Sequence, residues 1–389
     1  MDNEELGPFI YGKTVAKFSF TNRELETEKL ISNLTHGINT MLISPRRWGK
    51  SSLVEKTMGE IKANYKSHKV VMIDLFSTAN QQEFLQLFAR EVIKASSTKW
   101  EDWMTIGKTF FKQIVPTLSI GIDPISDFSI GFDWKELQKH PDEVLSLPER
   151  IGLSKKCKFI ICLDEFQNLA EFDNYVPFEK KMRAIWQTQK STTYCIYGSK
   201  RHMMTEIFNK TSKPFYRFGD IILLNKIKRE TWATFITKNF SRTKKKISKA
   251  NARLIPTLMK DHSWYVQQLS HYAWQKTKGV CSKNIIFDAL NELIYANSPL
   301  YHREIEIFSK KQLNLLKAIA SGEIQLSSAK TLAEYDLGTS ASVNKNKKIL
   351  TISDVIHEQN GNYEFLDPAF EIWFKNMFFD EKIGSDFFD

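Results

Sequence analysis

Long apolar runs, paired cysteines and histidine metal motifs are all missing from this sequence of 389 residues. Apolar runs such as residues 221–224 fall far short of a membrane span, and no basic segment followed by an apolar one stands near the amino terminus. We therefore expect no membrane insertion and a cytoplasmic location. The eight histidines show no HExxH-like spacing, which argues against a histidine-bound metal.

Cysteine is scarce, and its spacing does not indicate a cross-linked fold. Neither a CxxC metal site nor a disulfide framework fits the four positions, Cys157, Cys162, Cys195 and Cys281. Cys162 and Cys195 lie within apolar runs. The sequence thus predicts reduced thiols in the core of a cytosolic protein.

The composition is that of a globular protein, and its positive charge is concentrated in one region. At 42% hydrophobic and 26% charged residues the chain can bury a core, and its length predicts two or three domains. The net charge of +10 permits a nucleic acid or an acidic partner. Residues 226–283 contain fourteen Lys and Arg but two acids, a net +12 that leaves about −2 for the rest.

The first 225 residues have the pattern of an α/β domain. Short apolar runs alternate there with longer helical patterns, which predicts a largely parallel sheet. The predicted strands cover residues 40–44, 70–74, 159–164, 193–198 and 220–224. Helical spacing marks residues 81–96 and 178–189, and alternating Ile and Phe predict a hairpin at 118–132. We assign residues 1–225 to this core, with the hairpin insertion at about 115–135.

The remaining chain reads as two further domains. Residues 226–303 are helical throughout and are assigned to a helical lid. In residues 304–389, helices are predicted at 310–320, 327–335 and 340–350, and Asn360-Gly361-Asn362 then separates two strands. Three helices followed by a hairpin predict a winged helix-turn-helix domain.

A phosphate-binding loop is indicated where the first predicted strand meets the following helix. The segment reads Ser44-Pro45-Arg46-Arg47-Trp48-Gly49-Lys50-Ser51-Ser52, with Ser44 in place of the first glycine of GxxxxGK[ST]. Backbone N–H groups of such a loop and the helix N-terminus favour a polyphosphate. Lys50 can reach the β- and γ-phosphates, and Ser51 can ligate Mg²⁺.

Two acids end a buried strand later in the chain. The apolar run 159–163 is followed by Asp164 and Glu165. Ligands bind at the carboxyl ends of parallel strands, so Asp164 is placed to hold Mg²⁺ through water and Glu165 to orient or deprotonate an attacking water. The alternative is a pair that only terminates the strand and caps the next helix.

Together these motifs resemble a known family. The Pro-Arg-Arg and Trp-Gly-Lys-Ser of the loop, the Leu-Asp-Glu-Phe-Gln strand end and Tyr197-Gly198-Ser199 are similar to the archaeal-type P-loop ATPases of the STAND/AAA+ group, relatives of origin-recognition ATPases. The likeness covers most of the chain. It implies a P-loop NTPase core with a helical lid and a C-terminal winged helix, and ATP with Mg²⁺ as cofactors.

The resemblance implies roles for four further residues. Arg23, in a segment similar to the family's (F)xGRxxE motif, would lie on the nucleotide side near the adenine, and Ser199 would be the polar sensor of the γ-phosphate or attacking water. Arg217 resembles an arginine that acts in trans on a neighbouring chain, with Lys200 and Arg201 as rivals. His262, in the lid, is a candidate phosphate contact. Each role has a structural alternative. Arg23 would form a charge pair at a helix start, Lys200, Arg201 and Arg217 would form ion pairs, and His262 would pack within the lid.

The partners follow less directly from the sequence. Double-stranded DNA is a candidate partner through the basic lid and the winged helix, with a solvated loop as the alternative for the lysines 244–246. The polar and basic residues that the third helix of the winged domain offers to DNA are Ser340, Ser342, Asn344, Lys345, Asn346, Lys347 and Lys348. Glu358 and Glu364, however, flank the wing and would repel phosphate. Three functions remain: a nucleotide-dependent switch read by a protein partner, a DNA-binding motor or loader acting as a homo-oligomer, and an ATP-binding module with little turnover.

Overall fold

The chain forms two compact units in a computed structural model. The structure describes residues 7–13, 21–97, 105, 109–110, 116–119, 129–132, 140–359 and 361–380. Residues 23–225 form the sheet unit, and residues 1–22 together with 226–389 form the helical unit. The division of the chain into core, lid and winged-helix domains stays a prediction.

The centre of the sheet unit is a parallel five-stranded sheet. Its strands are β1 (Thr40–Ile43), β2 (His68–Asp74), β5 (Lys158–Asp164), β6 (Thr192–Gly198) and β7 (Asp220–Leu223). They lie in the order β2-β5-β6-β1-β7, and every neighbouring pair is parallel. This confirms the predicted parallel sheet. Because the strands are parallel, the residues after Ile43, Leu163 and Gly198 meet at one carboxyl edge.

Helices alternate with these strands along the chain, as the sequence predicts. The described helices of the unit are α1 (Glu24–Thr35), α2 (Lys50–Asn64), α3 (Gln81–Ser96), α4 (Pro141–Leu145), α5 (Leu147–Lys155), α6 (Tyr175–Trp186) and α7 (Arg201–Asn209), with a 3-10 turn at Phe166–Glu171. In α3, the side chain of Asn80 accepts a hydrogen bond from Glu83 N and so caps the helix. A second sheet pairs β3 (Pro116–Ser119) with β4 (Ser129–Phe132) in antiparallel orientation. The residues between these two strands lie outside the described part of the chain.

One buried carboxylate in the sheet unit lacks a hydrogen-bond partner. Glu179 of α6 is fully buried, and neither carboxylate oxygen has a partner within the described residues. Burial raises its pKa, and the nearby Tyr175 and Lys213 lower it by less. Because the pKa of Glu179 is higher in the folded than in the unfolded protein, the protonated carboxyl favours the folded state. This contribution to the free energy of unfolding is fully present at acidic pH and is lost as the pH rises through the pKa of the folded state.

Glu179→Gln is therefore expected to stabilise the protein at neutral pH by ~1–3 kcal/mol, because the neutral amide keeps the shape of the side chain and removes the cost of burying its charge. Unfolding by denaturant at neutral pH and at acidic pH measures the effect, which should shrink at acidic pH. The exposed Glu28→Gln serves as control. A gain that is equal at both pH values would contradict the titration of Glu179 as its cause.

The lid part of the helical unit consists of helices joined by one short strand pair. Its helices are α8 (Arg229–Arg242), α9 (Lys249–Leu258), α10 (Ser263–Lys276) and α11 (Lys283–Glu306). The strands β8 (Lys246–Ile247) and β9 (Val280–Cys281) pair in parallel. Ser248 and Ser282 cap α9 and α11 by accepting hydrogen bonds from backbone N–H groups. Phe9 packs into the same core, with its ring 6.0 Å from that of Phe235 and 5.7 Å from that of Phe240.

A winged helix follows in the same unit, as predicted. It contains α12 (Lys310–Ala320), α13 (Ala329–Glu334), α14 (Ser340–Ile352), the antiparallel strands β10 (Ile356–Gln359) and β11 (Asn362–Phe365), and α15 (Pro368–Phe379). Gln359 pairs with Asn362 and Gly361 has a φ of 83°, which fits the predicted turn, although Asn360 lies outside the described residues. A Ser309–Gln312 capping box starts α12.

The lid and the winged helix share a contact made by α15. Lys260 Nζ lies 2.5 Å from Glu371 Oε2, and the Tyr265 hydroxyl donates to Asp367. On the other side, the ring of Tyr301 on α11 lies 5.2 Å from that of Phe370. Buried apolar residues of both parts form one continuous core. The winged helix is therefore packed on the lid rather than joined to it by a free linker.

No helix in the described ranges has the combined length and apolar character that a bilayer crossing requires.

Candidate active site at the carboxyl edge of the sheet

The loop between β1 and α2 turns sharply before the helix starts. Arg47 and Gly49 both have positive φ, 64° and 88°, and Gly49 is the residue that precedes the first turn of α2. Among the described residues, no atom lies within 4 Å of where a Cβ of Gly49 would stand, so its φ and not crowding requires glycine. No side chain of the described residues caps this helix. Its first N–H groups are thus available to an anion.

Lys50 is a buried cation at the start of α2. It is 6% exposed, and in the described part of the chain its ammonium forms neither a hydrogen bond nor an ion pair. Burial lowers its pKa, against the opposing charges of Asp164 and Glu165. A desolvated ammonium without a direct partner is unfavourable unless a ligand supplies the compensating charge.

Ser51 and Asp164 bring two oxygen ligands together. Ser51 Oγ donates to Asp164 Oδ2 at 3.0 Å, although the residues lie on α2 and at the end of β5. Burial raises the pKa of Asp164 to about 6, and the charge of Lys50 only partly offsets it. At neutral pH the carboxylate is therefore ionised, in a position that favours a cation.

Glu165 is held in a fixed orientation beside this pair. Its φ is 52°, a left-handed conformation that turns the side chain toward the end of β6. Ser199 Oγ donates to Glu165 Oε2 at 2.8 Å, and Gln167 Nε2 donates to the same oxygen. Burial alone would raise the pKa of Glu165, but these hydrogen bonds and the charge of Lys50 lower it. Glu165 is thus ionised and ready to accept a proton.

Arg46 links the loop to the same cluster, since its Nε donates to Ser199 Oγ at 3.2 Å. One chain of contacts therefore runs from the loop through Ser199 to Glu165. Sequence reasoning placed Ser199 near this site, and the structure brings it there. It assigned Arg46 to the loop alone.

Gln167 and Gly198 are site residues that sequence reasoning missed. Gln167 is 1% exposed, and a Cβ on Gly198 would stand 2.0 Å from its Oε1. A side chain at position 198 would therefore displace Gln167 and release Glu165. The motif Tyr197-Gly198-Ser199 contained the signal, because a glycine that ends a buried strand often marks a close approach.

The other loop residues lie where the sequence placed them. Ser44 and Pro45 are buried after β1, and the Ser44 hydroxyl donates to Pro45 O at 3.1 Å. Trp48 is 7% exposed, as is Ser52 in the first turn of α2. Arg47 is exposed. Their contacts with a nucleotide stay predictions.

Arg23 stands at the entry to the sheet unit. It precedes α1 with a φ of 77°, is 3% exposed, and its Nη1 lies 2.8 Å from Glu26 Oε1. Its buried Nη2 has no hydrogen-bond partner in the described part of the chain. Phe20 of the same motif lies outside the described residues. The charge pair of Arg23 with Glu26, which is the structural alternative, is therefore present. The Nη2 group of Arg23 is the donor that remains for a ligand.

Arg217 is not part of the site in its own chain. It lies three residues before β7, at the amino edge of the sheet, where Asp220 N donates to Asn39 O at 2.9 Å. It is exposed, with its guanidinium 5.2 Å from the centre of the Tyr216 ring. The loop and the two acids lie at the opposite, carboxyl edge. A role toward a neighbouring chain stays a prediction.

The remaining candidates are placed as follows. Lys200 lies 3.5 Å from Glu171, which is the structural alternative for that cation, and the Arg201 side chain is outside the described part. His262 belongs to the helical unit, where it precedes α10, is 4% exposed and lies 5.1 Å from the Tyr265 ring. A phosphate contact by His262 stays a prediction.

The residues present fit a magnesium-bound polyphosphate. The buried Lys50 ammonium and the uncapped start of α2 suit phosphate oxygens. The Ser51 hydroxyl and the Asp164 carboxylate are hard oxygen ligands of the kind Mg²⁺ takes, with water and phosphate completing its coordination. Among the described residues no group of three His, Cys, Asp or Glu side chains is placed to hold a metal ion.

Comparison with known proteins bears on the fold. A family model described as a probable winged helix domain matches residues 299–376. The chain is similar in structure to the Walker-type ATPase paby2304 of Pyrococcus abyssi, with a TM-score of 0.63 and 17% identity, covering 93% of this chain and 98% of that one. It is also similar to the ORC2 protein of Aeropyrum pernix in ADPNP–ADP complexes, with a TM-score of 0.56 and 13% identity, covering 97% and 96%. The search of curated proteins finds no match.

At these identities the likeness concerns the fold. The chain has the P-loop ATPase fold with a C-terminal winged helix, and its structural neighbours are the Walker-type and archaeal ORC proteins to which its motifs pointed.

Proposed function

We propose that the protein binds ATP with Mg²⁺, hydrolyses it, and acts as a nucleotide-dependent switch through its lid and winged helix. The observation that supports this is the convergence of Lys50, Ser51, Asp164 and Glu165 at one edge of the sheet. These residues come from two segments more than one hundred positions apart. A strand end that served only to cap the next helix would not need the hydroxyl of Ser51 or the buried Lys50.

Binding rests on the loop and the start of α2. The N–H groups at the helix start and Lys50 bind phosphate oxygens, and Ser51 with Asp164 holds Mg²⁺. The bound ion supplies charge neutralisation of the phosphates. Because the pKa of Asp164 is about 6, its carboxylate is ready for a cation at neutral pH but becomes protonated at more acidic pH.

Hydrolysis rests on Glu165. Its lowered pKa keeps it ionised, and Ser199 with Gln167 fixes one oxygen so that the other can accept a proton from water. The bond from Arg46 to Ser199 ties this base to the phosphate loop. A change at the phosphates can in this way reach the end of β6.

The switch proposal is supported by the packing inside the helical unit. The Lys260–Glu371 and Tyr265–Asp367 contacts join the lid to α15. A change in the lid is therefore passed on to the winged helix, because the two share one core. The read-out would be association with a protein partner.

A DNA-binding motor or loader is the second candidate, and the surface of α14 favours it. Asn344, Lys345 and Lys348 of this helix are exposed. Lys347 is less available, since its Nζ lies 4.7 Å from the centre of the Tyr363 ring beside Glu358 of the wing. An ATP-binding module with little turnover is the third candidate.

Steady-state ATP hydrolysis, with and without duplex DNA and at low and physiological salt, separates the three candidates. The switch predicts slow turnover that is indifferent to DNA, with an ATP-dependent change in size or partner binding. DNA-stimulated turnover that weakens with salt would favour the motor or loader. ATP binding without measurable turnover under either condition would favour the third candidate and contradict hydrolysis.

A further inference from the structure

Two loops at one end of the lid carry positive charge and no acid. The first covers residues 242–249 and holds Arg242, Lys244, Lys245, Lys246 and Lys249. The second covers residues 276–283 and holds Lys276, Lys278 and Lys283. We call these two loops the basic end. In the sequence they are nearly thirty residues apart, yet together they hold eight of the fourteen cations of the lid region.

The fold holds the two loops side by side. Residue Lys246 of β8 pairs with Val280 of β9, and Lys246 N donates to Gly279 O at 2.8 Å. Lys245 Nζ donates to Trp274 O at 2.6 Å, and Trp274 Nε1 donates to Thr243 Oγ1 at 2.8 Å. The basic end is thus a fixed surface, whereas the sequence alone allowed a solvated loop of lysines.

Several of these charges have no carboxylate partner. Lys249 lies 3.8 Å from Glu230, and Lys276 lies 2.6 Å from Glu292. The other lysines of the two loops form no ion pair within the described residues. Their exposed and unneutralised lysines are Lys244, Lys246, Lys278 and Lys283. Such a concentration of like charge attracts a polyanion.

We propose that the basic end binds the phosphate backbone of a nucleic acid. A protein or membrane partner would require apolar anchors as well. Ile247 on these loops is buried, and Val280 is exposed. A single exposed valine does not form an apolar cluster of the kind that anchors a protein or a membrane. Lysines without an apolar centre fit regularly spaced phosphates, which they contact without reading the sequence. The proposal deepens the DNA-binding candidate above and does not depend on ATP hydrolysis.

The basic end is distinct from the winged-helix surface. Lys283 starts α11, and Tyr301 near the other end of that helix packs on Phe370 of the winged helix. The eighteen residue steps from Lys283 to Tyr301 correspond to about 27 Å along the helix axis. Changes at the basic end can therefore leave α14 intact, so the two surfaces can be tested independently.

The test compares three charge variants of the full chain in duplex DNA binding across a salt series. The first carries Lys244→Gln, Lys246→Gln, Lys278→Gln and Lys283→Gln. The matched control changes four exposed lysines of the sheet unit, Lys62, Lys66, Lys180 and Lys190, to Gln. The third carries Lys345→Gln and Lys348→Gln on α14. Thermal unfolding and basal ATP hydrolysis are measured for each variant as controls. Both should equal those of the parent, because neither folding nor the nucleotide site depends on these lysines.

The first variant is expected to lose affinity at low salt, and the slope of log K against log salt should fall by about 3–4, at roughly 0.9 per phosphate contact. The control should keep the slope of the parent. Equal slopes in parent and first variant, or an equal loss in the control, would overturn the proposal. So would binding that depends on α14 alone, or binding of phosphatidylserine vesicles without binding of DNA. If the parent and all variants failed to hydrolyse ATP but bound DNA with the expected slopes, the result would contradict the proposed ATPase function and leave the proposal for the basic end intact.

Discussion

Lys50→Ala is expected to reduce ATP affinity by about 10²–10⁴-fold, which amounts to loss of binding at ordinary concentrations. Each hydrogen bond from a charged group contributes about 1.5–3 kcal/mol, and Lys50 can make two with phosphate oxygens. Every 1.4 kcal/mol is about a factor of ten in affinity. The loss should be near the upper end, because Lys50 is buried and little solvent competes for the phosphates. Titration calorimetry with ATP and Mg²⁺ measures it.

A second measurement separates binding from folding. Lys50 is buried without an ion pair in the described part of the chain, so its removal should leave the nucleotide-free protein at least as stable as the parent. Lys62→Ala, on the exposed side of the same helix, is the matched control and should bind ATP normally. An affinity like that of the parent in Lys50→Ala would refute the assignment of the phosphate loop.

Glu165→Gln is expected to keep ATP binding and to slow hydrolysis by about 10²–10⁴-fold, the usual contribution of a general base. Glutamine has the same shape, and its carbonyl can still accept the hydrogen bond from Ser199, so the geometry of the site should persist. What the amide loses is the ability to take a proton from water. Single-turnover hydrolysis with saturating ATP isolates this step from product release.

The control for this variant is Glu171→Gln, at the end of the same 3-10 turn. Glu171 is exposed and pairs only with Lys200 in the described part, so turnover should stay close to that of the parent. If Glu165→Gln hydrolysed ATP at the parental rate, Glu165 would not be the base. A matching loss of affinity would indicate instead that Glu165 positions the phosphate loop.

The sheet and the loop could be predicted from sequence because their signals are local. A strand buried on both faces is a continuous apolar run, as in residues 159–163, and a phosphate loop is a contiguous motif. The edge where Ser51 meets Asp164 then follows from parallel pairing. The contact distances and the raised pKa of Asp164 cannot be predicted in this way, because they depend on how deeply this edge of the sheet is buried.

The features that escaped prediction depend on contacts between distant segments. Gln167 meets Gly198 only because the 3-10 turn after β5 folds back on β6. The two-residue strands β8 and β9 are too short to produce a periodic pattern. Phe9 gives no hint in the sequence that its partners are Phe235 and Phe240, more than two hundred residues away.

The course of the chain through its two units has a consequence for biosynthesis. The sheet unit is one uninterrupted stretch, residues 23–225, and it is nested within the helical unit, which is built from the segments on either side. The ribosome therefore synthesises the complete sheet unit before any helix of the lid. Phe9 is synthesised before the sheet unit but has no core to enter until α8 follows. We expect the nested unit to fold first, while residues 7–13 remain an exposed apolar segment that a chaperone can hold until the lid arrives.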